Sequence, residues 1–136
     1  MDDDFRFTVE IPLRLRDLDQ MNHVNNAVFA TFLEQARSAY FRDVIGDPLN
    51  EVGMVIADLS VEFERAVTLD AGAVTVGARA TDLGESSIPM AYEVWADGER
   101  AAAGETTLVH VDREAGIAEP LPDAWRATIT EYESLD

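Results

Sequence analysis

Residues Arg14–Gly46 read RLRDLDQMNHVNNAVFATFLEQARSAYFRDVIG, and the two halves of this stretch behave differently. Asp17 to Asn26 (DLDQMNHVNN) is acidic and Asn-rich, a composition suited to a tight turn. From Ala27 to Ile45 the apolar residues Val28, Phe29, Phe32, Leu33, Ala36, Tyr40, Phe41, Val44 and Ile45 recur at spacings of three and four, the period of one helical face. Asn25 or Asn26 suits the N-cap, because a short side-chain oxygen can accept from the free N–H groups of the first turn. Gly46 suits the left-handed position after the last turn. One long amphipathic helix fed by a polar turn is predicted, and the chemistry is expected where the two meet.

On either side of this helix the pattern changes to alternation. Phe5 to Arg16 places Phe7, Val9, Ile11, Leu13 and Leu15 on one side of a first strand. Gly53 to Arg65 reads as a long second strand with Leu59, Val61 and Phe63 inward. Ala73 to Thr81 and Ser87 to Ala96 repeat the alternation, and Asp97-Gly98 signals a two-residue hairpin into a last strand over Ala101 to Asp112. Turn residues at Leu69 to Gly72 and Asp82 to Ser86 suggest that strands two to five form an antiparallel meander. Pro120 to Asp136, with Trp125, Ile129 and Tyr132 at helical spacing, predicts a short terminal helix. The sum is an α+β domain over residues 1–136, one antiparallel sheet packed on one central helix.

The composition narrows the functional classes. The chain has 136 residues, 47 % of them hydrophobic, enough for one core and not for a second domain. It has no apolar run of membrane-spanning length, and its acidic MDDDFRF start is unlike a signal peptide, so a cytoplasmic chain without membrane partners is expected. Cysteine is absent, which removes disulfides, thiolate metal sites and a Cys nucleophile. The net charge is −17, from 27 acidic against 10 basic residues, and every basic residue is Arg. Such a surface repels a polyphosphate backbone, so no nucleic-acid partner is expected. Acidic, Lys-free composition resembles that of proteins from salt-loving organisms, in which molar salt screens self-repulsion.

Asp19 is the first candidate for chemistry. A carboxylate just before a helix start lies near converging N–H groups and the positive end of the helix dipole, so a base and an oxyanion site would be neighbours. Acyl transfer to water needs that combination. His23, Asn22, Asn25 and Asn26 add polar groups close by. The same residue types also make turns and caps for purely structural reasons. Glu34, mid-helix, is expected to be solvated or paired with Arg37, and His110 to be structural or exposed. Asp17, Asp19 and His23 lack the further ligands that a metal site would need, so no metal is expected.

The run RLRDLDQMNHVNNAVF followed by FLEQAR resembles the signature of the hotdog-fold acyl-CoA thioesterases of the 4-hydroxybenzoyl-CoA thioesterase family. Similar segments recur at Val61 to Val67 (VEFERAV), Leu83 to Ser87 (LGESS) and Ala102 to Val109 (AAGETTLV), so the resemblance spans almost the whole chain. It implies a hotdog fold, a sheet wrapped around the long helix, and hydrolysis of an acyl-CoA with no cofactor. It implies Asp19 as nucleophile or general base, the N–H groups of Asn26 and Ala27 as oxyanion donors, and His23 and Asn25 as members of an H-V-N-N motif. The plant acyl-carrier-protein thioesterases share that motif but carry Asn where this chain has Met21. Ser86 and Ser87 are assigned to substrate binding, as are Arg65 and Arg100, which with Arg79 could meet the coenzyme's phosphates. A homodimer or homotetramer with active sites between subunits is implied. Two other readings stay open: a hotdog hydratase or dehydratase, against which stands the missing H-F-P-G-x-P type segment, and an acyl-CoA-binding module without catalysis.

Overall fold

Alternation and helical periodicity both find their partners in a computed structural model that describes residues 5–136. The elements run β1 (Phe7–Pro12), α1 (Asn26–Tyr40), β2 (Met54–Phe63), β3 (Ala73–Ala80), β4 (Ser87–Ala96), β5 (Glu99–His110) and α2 (Asp123–Glu133). The strands form one antiparallel sheet in the order β1-β3-β4-β5-β2. Helix α1 lies across one face, burying Phe29, Phe32, Leu33, Ala36 and Tyr40 against alternate residues of the central strands, among them Val76, Tyr92 and Leu108. The expected class, an antiparallel sheet with one long helix and a short terminal helix, is the class observed.

Three local readings change. Strand β1 spans Phe7–Pro12 instead of Phe5 to Arg16: Leu15 opens a 3-10 turn and is 75 % exposed. Helix α1 is regular to Tyr40, after which Phe41–Ile45 widen into a π turn closed by Gly46 at φ 91°. That turn seats Phe41 edge-on against Trp125 of α2, ring centroids 5.6 Å apart. Strands two to five are not a simple meander. Only β3, β4 and β5 follow one another, β4 and β5 through a hairpin at Asp97 and Gly98 whose positive φ values (53° and 74°) match the strand twist. Strand β2 pairs instead with the far side of β5. Residues 64–72 leave β2, pass the start of α1 where the Val24 N–H donates to the Val67 carbonyl, and reach β3 on the other side.

The register explains both packing and exposure. Leu59, Val61 and Phe63 oppose Thr106, Gly104 and Ala102, on the helix-facing side of the sheet as alternation predicts. Leu59 and Phe63 are nevertheless 44 % and 47 % exposed, because β2 is an edge strand reaching beyond the cover of α1. Gly104 allows the helix to approach: a Cβ there would lie 2.7 Å from a Leu33 methyl.

Helix α2 closes the opposite flank. One Glu133 carboxylate oxygen accepts from the buried Tyr40 hydroxyl at 2.6 Å and from the Ala80 N–H at 3.0 Å. Burial, with Glu133 adding to it, pushes the Tyr40 phenol far above its ordinary value, so it acts as a donor at every physiological pH. Tyr40→Phe keeps the ring but removes this charge-assisted bond, and should destabilise the fold by about 2 kcal/mol, read as a lower urea midpoint at unchanged m-value.

Candidate active site

The turn before α1 is built by short polar side chains bonding their own backbone. Asp17 is buried, its carboxylate accepting from the Arg14 N–H at 2.8 Å and the Arg14 guanidinium at 3.0 Å, while its carbonyl accepts from Asn25 N–H at 2.8 Å. Desolvation alone would raise the Asp17 carboxyl; the Arg14 hydrogen bonds and the charges of Arg14 and Arg16 outweigh it and hold the group below the usual carboxylate range. A pKa lowered by folding means that the stabilisation is complete above the unfolded value of about 4 and is lost as pH falls through the folded value. The stability gap between wild type and Asp17→Asn should therefore be widest near neutrality and narrow below about pH 4, as urea midpoints across that range would show.

Between Leu18 and Val24, which form an isolated antiparallel bridge, the chain reverses tightly. Asp19 anchors the reversal. Its N–H donates to the His23 carbonyl at 2.8 Å, and its Oδ1 accepts from the N–H groups of Met21 (2.8 Å) and His23 (3.2 Å). Asn22 takes a left-handed φ of 62°, which Asn tolerates better than most residues. Among the described residues Asp19 Oδ2 has no hydrogen-bond partner. Asn25 is the N-cap of α1, its Oδ1 accepting from the Ala27 N–H at 2.9 Å.

Asp19, His23, Asn26, Phe29, Phe63 and Arg65 line one cleft of about 280 Å³, between the helix start and the segment leaving β2. The crossing of residues 64–72 over the helix start creates this cleft. Asn25 and Ala27 flank it, but the Ala27 N–H is engaged by the cap, whereas the Asn26 N–H has no partner among the described residues. Arg65 is exposed and pairs with Glu99 at 2.9 Å. Arg100 is drawn to Glu64 (2.9 Å) and Glu93 (3.2 Å), and Arg79 lies under the Phe5 ring on the sheet's outer face.

Ser86 and Ser87 stand elsewhere in the chain. Ser87 opposes Val109 and Phe63 opposes Ala102, seven residues apart on β5 (109 − 102), or roughly 23 Å at strand rise. Glu34 is largely exposed at 3.9 Å from Arg37. His110 bonds the Pro120 carbonyl through Nδ1 at 3.0 Å and stacks edge-on against Trp125. Among the described residues no three His, Cys, Asp or Glu side chains are grouped to hold a metal, and Asp17 is turned toward Arg14, away from Asp19 and His23. The aromatic wall of the cleft, Phe29 edge-on to Phe63 at 5.3 Å, carried no signal in the sequence beyond ordinary core periodicity.

Residues 13–129 match the thioesterase-like superfamily. The chain belongs to that superfamily. Among solved structures this thioesterase-like chain is similar to a thioesterase from Thermus thermophilus determined with coenzyme A and zinc: 40 % identity, 98 % of each chain covered, TM-score 0.89. A predicted thioesterase from Bacillus stearothermophilus is 27 % identical, with 92 % of this chain and 94 % of that one covered and a TM-score of 0.83. The DHNA-CoA thioesterase of Staphylococcus aureus shares the fold, at TM-score 0.86 and 20 % identity over 95 % of this chain and 91 % of that one. No curated protein sequence matched. The hotdog architecture expected of the thioesterase-like chain is thus the one it has, and none of its helices is long and apolar enough to cross a membrane, among the described residues.

Proposed function

We propose that the chain hydrolyses an acyl-CoA thioester to a free acid and coenzyme A, with Asp19 as general base or nucleophile. The observation that carries this reading is the division of labour within one carboxylate. Asp19 Oδ1 is held by two backbone N–H groups, while Oδ2 is free beside the opening turn of α1. As a base, Oδ2 takes a proton from water as its oxygen attacks the thioester carbon; as a nucleophile, it attacks directly and water cleaves the resulting anhydride. The carbonyl oxygen gathers negative charge, which the Asn26 N–H and the helix dipole are placed to stabilise. The Ala27 N–H contributes only by sharing itself with Asn25. On either route collapse of the tetrahedral intermediate breaks the carbon–sulfur bond and the thiolate leaves, taking up a proton; on the nucleophilic route this step forms the anhydride that water then cleaves. His23 lines the same cleft and supplies a second polar group there. The coenzyme A bound by the Thermus relative supports a CoA ester as the substrate, and Arg65 is the guanidinium on this cleft that could meet its phosphates.

A second copy completes the site. Edge strand β2 presents unpaired backbone together with exposed Val55, Ile56, Leu59 and Phe63, a surface that single chains rarely leave open. Two β2 strands pairing antiparallel about a two-fold axis would cover it and extend the sheet through both subunits. That pairing brings the Ser86–Ser87 end of the partner subunit's sheet toward the Asp19 cleft.

The test is free-thiol release from a panel of acyl-CoAs, run in molar KCl because of the net charge of −17. Release from at least one ester is expected. Folded protein that frees no thiol from any of them would overturn the reading.

A further inference from the structure

A second cleft, of about 330 Å³, lies between α1 and the Met54 end of β2. Half of its lining is apolar (Leu49, Met54, Ile56, Leu108), and α1 adds Glu34, Arg37 and Ser38 to it, with Asn50 beside them. The setting of that cation is unusual. Its side chain is only 8 % exposed, and its Nη1 is buried without a hydrogen-bond partner. Nη2 stands 3.9 Å from a Glu34 oxygen, beyond hydrogen-bond reach, and Glu34 itself is 66 % exposed. Nearby, the Tyr92 hydroxyl is already bonded to Thr106 at 2.7 Å. The Tyr92 hydroxyl also bonds the Arg37 guanidinium, yet Nη1 stays buried without a partner, and an idle desolvated donor is costly.

Antiparallel pairing of two β2 strands lays the Met54 end of one beside the Phe63 end of the other. Ile56, opposite Leu108, and Phe63, opposite Ala102, share the helix-facing side of the sheet. In such a pair the Asp19 cleft of one subunit would continue into the second cleft of its partner. We infer that Arg37 of the partner subunit receives a carboxylate at the far end of the acyl chain, making thioesters of dicarboxylic acids the favoured substrates. The apolar half of the lining accommodates the methylenes, and the guanidinium fork matches the geometry of a carboxylate. On a surface this acidic an anionic acyl group would otherwise be repelled, so a buried cation is the feature that admits it.

This inference rests on the thioesterase reading and on the β2 seam, and its test separates it from the former. Thiol release is compared for matched pairs, hexanoyl- with adipoyl-CoA and octanoyl- with suberoyl-CoA, in wild type and Arg37→Met. Wild type is expected to favour at least one carboxylated ester over its neutral match by about tenfold or more in kcat/KM. Arg37→Met should erase that preference through loss on the carboxylated ester alone. An Arg37 that merely braced the core would lower both esters together, and that outcome overturns the inference. So does a wild type that prefers the neutral member of every pair or discriminates in none, a comparison that needs no variant to fold. Hydrolysis of neutral esters alone leaves the thioesterase reading standing, whereas hydrolysis of none removes both.

Discussion

Asp19→Asn is expected to reduce kcat for thioester hydrolysis by about a hundredfold to ten-thousandfold while shifting stability by no more than roughly 0.5 kcal/mol. The two halves of this expectation come from the two oxygens of one side chain. An Asn Oδ1 can occupy the place of Asp19 Oδ1 and keep the N–H groups of Met21 and His23 bonded, so the turn survives. The other oxygen becomes an amide NH2, which can neither take a proton from water nor attack a carbonyl. Asp19→Ala removes both functions and should also loosen residues 19–23. Wild-type turnover in a folded Asp19→Asn protein would mean that another group carries the reaction.

Leu59→Asp is expected to yield single chains that retain their secondary structure and have lost hydrolysis. Leu59 lies near the middle of β2 and is 44 % exposed, so the subunit itself tolerates a polar side chain there. In an antiparallel β2 pair the same position meets itself close to the two-fold axis, and two carboxylates would face each other in an apolar seam. Several kcal/mol of unfavourable burial and repulsion correspond to association weakened by roughly a thousandfold or more. Light scattering should report the mass of one chain, and thiol release should fall with it because the cleft lacks its second wall. An active dimer would place the seam elsewhere on the molecule.

The parts of the fold that were legible in the sequence are those decided by neighbouring residues. Periodicity and Asn25 mark the start of α1, Gly46 marks the end of the π turn that follows it, and β4 has the expected bounds, Ser87 to Ala96, because turn residues fence it. Asp97-Gly98 fixes the one tight hairpin. The partner of β2 could not be read in this way, since alternation reports which face a strand buries and not which strand it joins. That choice depends on the crossing of residues 64–72 and on Gly104 letting α1 come close. In the candidate site, the turn and the motif led to Asp19, His23, Asn26 and Arg65, which the fold gathers in one cleft. They could not show that the Asn25 cap engages the Ala27 N–H, nor that Ser87 stands at the other end of β5. Phe63 and Arg37 were hidden for the opposite reason, one by looking like any core residue and the other by looking like any surface arginine.

The doubly anchored Asp19 oxygen has an entropic consequence. A free carboxylate side chain must give up rotamer freedom when it engages a substrate, a loss of roughly 1 kcal/mol. Here that freedom is surrendered when the turn folds, before any acyl group arrives. In the proposed hydrolysis the orientation of the other oxygen would then be independent of what is bound, and no acyl group would be favoured or penalised by the act of aiming it. Selectivity is left to the walls of the cleft, which lie on other elements of the chain. Such separation lets the acyl preference change through substitutions in β2 or α1 while the residues that hold Asp19 stay as they are.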